Sequence, residues 1–212
     1  FARLLAKRGL DLILVARREE NLNRIAEELR ERHGVQVVVI PIDLTREDSA
    51  EELFRKVGEF DVGLLVNNAG FGYYGRFVKQ DPGKFSEMIK LNILTFTLLT
   101  RKFADRFIKK GRGGIILVSS LAAFQPTPGM ALYGATKGFE LLLGEAIAEE
   151  VKGKNVDITV LCPSATLTEF QSVAGGVPHD GMTSEFVAEN ALKCLGKKRI
   201  AIPGLWNKVL GK

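Results

Sequence analysis

From Gly9 to Ile202, short unbroken runs of Val, Ile and Leu alternate with longer stretches whose apolar residues recur at helical spacing. An unbroken apolar run suits a strand covered on both faces, and such strands belong to parallel sheets packed between helices. Strands are predicted at 10–15, 35–40, the run ending at Asn67, the run ending at Ser119, 156–162 and 199–202. Helices are predicted at 19–33, 49–58, 82–110, 129–152 and 183–195, with Gly34 stopping the first of them. The alternation implies an α/β fold, a doubly wound parallel sheet with helices on both faces. Ligands bind beyond the carboxyl ends of strands in such sheets. Ala16-Arg17, Asp43, Asn67 and Ser120 all stand at those ends.

Ahead of this alternation, Phe1, Leu4 and Leu5 form an apolar helical stripe, Lys7 and Arg8 fill its last turn, and Gly9 ends it. A nucleotide-binding half of this design begins with a strand and a Gly-rich turn before such a helix. Neither precedes Phe1, so the expectation is one domain over 1–212, incomplete at its N-terminus, with a central strand missing. Gly111-Arg112-Gly113-Gly114 precedes a strand, and Gly175-Gly176 lies in a loop segment. Neither can replace the turn whose amides receive a pyrophosphate. A chain starting at Phe1 is therefore expected to hold a dinucleotide weakly and to aggregate more readily than a longer one.

Composition excludes several classes. A chain of 212 residues that is 46% hydrophobic can bury one sizeable core. The net charge of +5 comes from bases interleaved with acids, as in Glu27-Glu28-Leu29-Arg30-Glu31-Arg32; only Lys197-Lys198-Arg199 forms a run. That pattern describes solvated helix faces, so no nucleic-acid partner is expected. Cys162 and Cys194 lack metal-ligand spacing, His33 and His179 are isolated, and no metal is expected. Two cysteines in so long a chain are no disulfide framework, so a reducing cytoplasm is expected; no apolar run approaches the ~18 residues of a membrane helix and no signal peptide is visible.

The chemistry is concentrated in a few polar residues. Lys137 follows Tyr133 by four positions in Tyr133-Gly134-Ala135-Thr136-Lys137, so on a helix the two side chains stack one turn apart. An ammonium there favours the phenolate and lowers the tyrosine pKa. Ser120 stands thirteen residues before the tyrosine, at the end of an apolar run. A hydroxyl donor, a tunable acid and a cation can thus meet where a strand hands over to a helix, which suits proton transfer to a carbonyl oxygen. Asn67-Asn68-Ala69-Gly70 ends another apolar run, and Asn92 sits in Leu91-Asn92-Ile93.

In that order and spacing, these residues make the chain resemble the short-chain dehydrogenase/reductase family, in its compact single-domain branch, from Phe1 to about Pro203. The resemblance implies a Rossmann-like fold and hydride transfer between a nicotinamide and a carbonyl carbon. It implies Tyr133 as general acid/base, Ser120 as hydrogen-bond donor to the substrate oxygen, and Lys137 as the cation that tunes the tyrosine and grips the nicotinamide ribose. Asn92 is expected to interrupt the long helix and hold a water of the proton relay. Self-association as a homodimer or homotetramer is implied through helices 82–110 and 129–152.

The resemblance also assigns the coenzyme contacts. A carboxylate at the end of the 10–15 strand would take the ribose hydroxyl of NAD. Ala16 and Arg17 stand there instead, offering a guanidinium to a 2′-phosphate, so NADP(H) is expected over NAD(H). Asp43 lies against the adenine or caps a helix with Thr45 and Arg46. Asn67 touches the coenzyme or serves the sheet. Pro163-Ser164-Ala165-Thr166-Leu167-Thr168 matches the segment that passes the nicotinamide amide, with Thr166 and Thr168 as partners. Ser164 replaces the usual glycine and would be strained if its φ were positive.

Around the site, Phe71, Tyr73, Tyr74, Ala122, Ala123, Phe124, Phe170 and Val173 are apolar or aromatic. They suggest an apolar ketone, aldehyde or acyl substrate, beneath a lid ending in Gly175-Gly176-Val177-Pro178. Two alternatives stay open at this point: a catalytically silent nucleotide-binding regulator, and an interaction subunit of the same fold.

Overall fold

The computed structural model describes residues 1–175 and 180–204, so Gly176, Val177, Pro178 and His179 lie outside the described residues. Along the chain run α1 (Ala2–Ala6), β1 (Leu12–Ala16), α2 (Glu19–His33), β2 (Val37–Pro41), α3 (Ser49–Lys56) and β3 (Leu64–Asn67). There follow α4 (Pro82–Ile89), α5 (Phe96–Lys110), β4 (Gly113–Val118), α6 (Ala131–Glu150) and β5 (Val156–Leu161). The chain closes with β6 (Thr166–Leu167), α7 (Phe170–Val173), β7 (Met182–Thr183), α8 (Ser184–Cys194) and β8 (Ile200–Ala201). The architecture is the expected parallel α/β sheet between helices.

All strand pairs are parallel, in the orders β1-β2, β3-β4-β5-β8 and the short β6-β7. The first two groups are not hydrogen-bonded to each other, yet one core joins them. Ile13, Val15 and Ile40 pack in the same cluster as Ile115, Leu117 and Val160. Helix α1 spans both groups: Ala2 and Ala6 pack with Leu12 and Leu14, while Phe1 packs with Ile116 and Leu161. Ile115, Ile116, Leu117, Val160 and Leu161 have no exposure at all, as both-face coverage of β4 and β5 requires.

Local signals set the helix ends. Gly34 takes a left-handed φ of 67° and its amide closes onto Arg30 O, ending α2. Asp81 accepts from Gly83 N at 2.8 Å with Pro82 in the first turn, starting α4. The stretch read as one helix from 82 to 110 is instead two α-helices joined by a π-helical turn, Lys90–Thr95. Its cause is Asn92, whose fully buried side chain is tied to residues on two other elements, so the chain accommodates an extra residue in that turn.

Helix α6 is held close to the sheet at Gly144. A Cβ there would lie 2.4 Å from Val160 Cγ2 and 2.9 Å from Leu117 Cδ1, both on fully buried residues. Alanine would gain about 1 kcal/mol of helix propensity, but overpacking a core costs about 1–3 kcal/mol. Gly144→Ala is therefore expected to destabilise the protein by up to about 2 kcal/mol. A urea midpoint that falls at unchanged slope checks this.

Candidate active site

The site forms where β4 hands over to α6. Ser120 follows β4 and starts a short 3-10 turn, Leu121–Ala123, its Oγ accepting from Ala122 N at 3.2 Å. Helix α6 then turns Tyr133, Lys137, Glu140 and Gly144 onto its buried face, at the i, i+4, i+7, i+11 spacing of one stripe. Ser119 Oγ donates to Lys137 O at 2.7 Å and so ties strand end to helix. The expected trio is thereby brought together: Ser120 and Lys137 both act on the Tyr133 phenol, and Lys137 Nζ lies 5.7 Å from the Tyr133 ring centre.

The electrostatics differ from the expectation. Spacing alone predicts a lowered tyrosine pKa, but Tyr133 is only 8% exposed and burial, the largest influence, pushes its phenol up. Lys137 and Ser120 pull it back toward the phenolate without overcoming that cost. Lys137 Nζ donates to Val118 O at 2.9 Å and to both carboxylate oxygens of Glu140 at 3.0 and 2.9 Å. Glu140 was not among the residues singled out from the sequence. Its signal was an acid set in the apolar stretch Phe139-Glu140-Leu141-Leu142-Leu143, three residues past the lysine.

Asn92 closes the other side. Its Oδ1 accepts from Phe71 N at 3.2 Å, and its Nδ2 donates to Phe71 O at 3.0 Å and Thr136 Oγ1 at 3.1 Å. Between Asn92 and Lys137 the chain passes Gly70. A Cβ there would come 3.1 Å from Asn92 Oδ1 and 3.5 Å from Lys137 Nζ. Glycine lets the backbone pass that close to both side chains.

The remaining site residues divide. Asn67 ties β3 to α5, its Nδ2 donating to Phe96 O and Thr100 Oγ1 at 3.0 and 3.1 Å. Asp43 Oδ1 accepts from Thr45 N and Oγ1, and these bonds, ahead of the more distant Arg17 charge, hold its carboxyl below the usual range. Arg17 is exposed at the end of β1, whereas Arg18 pairs with Glu169. Thr166 Oγ1 donates to Ser164 O at 2.9 Å, and Thr168 Oγ1 accepts from Phe170 N at the start of α7. Ser164 carries no strain, because Asn155 is the one non-glycine with positive φ among the described residues.

Phe71, Tyr73, Tyr74, Ala122 and Phe170 pack around Tyr133 as expected, joined by Met88 and Met130, which sequence reading missed. Ala123 and Phe124 pack against the central core instead, because the 3-10 turn after Ser120 directs them inward. Val173 is 62% exposed. Burial pushes the Cys162 thiol up to about 12, which makes it a small core hydrophobe.

Known proteins resemble the chain along most of its length. A family model for short chain dehydrogenases matches residues 1–175. The chain is 32% identical over 210 residues to a 7beta-hydroxysteroid dehydrogenase of Clostridium sardiniense, covering 96% of this chain and 80% of that protein. It is 27% identical to a very-long-chain 3-oxoacyl-CoA reductase of Bos taurus, covering 92% of this chain and 64% of that protein. Among solved structures, a short-chain dehydrogenase from Sphingobium yanoikuyae in complex with NADPH superposes with a TM-score of 0.91 at 33% identity. That match covers 99% of this chain and 86% of the other.

Proposed function

The chain belongs to the short chain dehydrogenase family, whose members are oxidoreductases of CH–OH and C=O groups, and we propose that it interconverts an apolar carbonyl and its alcohol with NADP(H). The observation that carries this reading is the buried Tyr133 phenol, acted on by Ser120 and facing the Lys137 ammonium within an apolar, aromatic wall. Gly70 brings bare backbone up against Asn92 and Lys137, where a Cβ would intrude, and such a backbone suits a coenzyme lying along it. Relatives support the partner classes: one neighbour is complexed with NADPH, and others are named for a hydroxysteroid and an acyl-CoA.

Bound there, the nicotinamide supplies or takes up the hydride. Tyr133 gives its phenolic proton to the carbonyl oxygen in reduction and receives it in oxidation. Ser120 donates to the same oxygen and stabilises the charge that develops on it. Lys137 stabilises the phenolate left after proton transfer and binds the nicotinamide ribose. Asn92, in its π-helical turn, holds the water that refills the relay. Arg17 takes the 2′-phosphate, Asp43 flanks the adenine, and Asn67, Thr166 and Thr168 line the nicotinamide path. Exposed Ile108 and Leu142, on α5 and α6, support self-association through those helices.

The test is incubation with NADPH and a panel of carbonyls, following coenzyme absorbance. Consumption with bulky apolar ketones or acyl substrates is expected. Coenzyme binding with no turnover on any carbonyl would instead favour a silent nucleotide-binding regulator. Lys137→Ala is expected to weaken NADPH binding and lower kcat together, since it removes a ribose contact and the charge that stabilises the phenolate. Calorimetry beside steady-state kinetics separates the two effects.

A further inference from the structure

Glu140 is the most deeply buried acid beside the reacting groups, and the mechanism above does not use it. It has 0% exposure, and both its oxygens lie within 3.0 Å of Lys137 Nζ. An acid in that position is costly: a carboxylate loses its hydration there and recovers it only through one lysine. An apolar residue would fill the same place without that cost, as Leu141 does next to it.

What the carboxylate does follows from the donors of the ammonium. Lys137 has three protons, and its contacts are Val118 O on β4 and the two oxygens of Glu140. Val118 O fixes the ammonium against the strand end, and Glu140 holds it from the helix. Its negative charge also lies behind the positive charge that Lys137 presents to Tyr133, and so opposes it.

We propose that Glu140 is a positioning residue for the Tyr133–Lys137 pair, which anchors the ammonium at the strand end and offsets part of its charge as felt by the phenol. This rests on the oxidoreductase reading of the site. The direction of the electrostatics agrees: Glu140 raises the Tyr133 pKa, against the lowering by Lys137. Burial pushes the Glu140 carboxyl itself up to about 7, with Lys137 acting the other way. The other titratable groups coupled to this cluster are the Cys162 thiol past the end of β5 and the phenol of Tyr74. The thiol, pushed up to about 12, stays neutral across the range in question.

The experiment compares the parent with Glu140→Gln, which keeps the volume and an acceptor for Lys137 but removes the charge. The chain has three tyrosines, so the ultraviolet difference titration of parent against Tyr133→Phe isolates the Tyr133 phenol. In Glu140→Gln that midpoint is expected to fall by about one pH unit, tenfold in proton affinity. The limb of alcohol oxidation that reports phenolate is expected to move by the same amount. Should Glu140→Gln fail to fold, Glu140→Leu carries the same expectation, since it too removes the charge. An unchanged midpoint in a folded variant, with only the melting temperature altered, would overturn the proposal and leave Glu140 a packing residue. The optical titration needs no turnover, so a parent inactive on every carbonyl overturns the functional reading while this test still decides the role of Glu140.

Discussion

Tyr133→Phe is expected to lower carbonyl turnover by about 10²–10⁴-fold, the usual worth of a positioned general acid, while NADPH affinity stays within a few-fold. The ring is retained: Tyr133 packs against Phe170 with ring centres 5.4 Å apart, and Met88 and Met130 fill the rest of the pocket. Phenylalanine keeps all of that contact, so the fold should survive with a loss of no more than about 1 kcal/mol for the hydroxyl. The substitution touches neither partner of Lys137, Val118 O or Glu140, so NADPH binding is expected to be undisturbed. The raised phenol pKa sets the pH behaviour of the parent. Reduction uses the protonated phenol and is expected to hold across neutral pH, falling only as the phenol ionises in alkali. Oxidation uses the phenolate and rises over the same range. Steady-state rates of parent and variant, with calorimetric NADPH binding, check both statements. Near-normal turnover in the variant would sink the assignment of the proton donor.

The order and type of the elements were readable because the strands of a covered parallel sheet are unbroken apolar runs, and because Gly34 and Pro82 mark helix ends by backbone geometry alone. Strand starts were misplaced by about two residues: β1 begins at Leu12 and β2 at Val37, since Gly9 turns with φ 76° and Asp11 caps Gln36 N before the ladder starts. At the site, helical spacing correctly predicted that Tyr133 and Lys137 share a face, and Asn92 does interrupt its helix. Spacing carries no information on depth, and depth decides the rest. Burial reverses the net shift of Tyr133, and the amide of Asn67 is occupied by α5. Glu140 shows the same gap from the other side. Its position beside Lys137 was legible as i+3, but only the packed structure shows that the acid is enclosed with, among the described residues, no partner for its charge except that lysine.

Coenzyme choice is expected to favour NADPH over NADH by at least about tenfold, and Ala16→Asp combined with Arg17→Ala is expected to reverse the order. Both side chains are exposed at the carboxyl end of β1, where the ribose of a dinucleotide bound in such a sheet would lie. Of the two neighbouring arginines, Arg18 is already paired with Glu169, whereas Arg17 acts on the carboxyl of Asp43 only from a distance. Arg17 is thus the guanidinium that a 2′-phosphate can claim without breaking an ion pair. A charge-assisted contact contributes about 1.5–3 kcal/mol, and 1.4 kcal/mol is tenfold in affinity, so solvent screening at an exposed site still leaves about one order of magnitude. An aspartate at position 16 would do the opposite twice over, accepting from a free 2′-hydroxyl and repelling a phosphate. Neither change touches Tyr133, Lys137 or Ser120, so kcat with the preferred coenzyme should be retained. Calorimetric titration of parent and double variant with both coenzymes decides it. Equal affinities in the parent would show that Arg17 is a solvated surface charge, and that any phosphate preference arises elsewhere in the cleft.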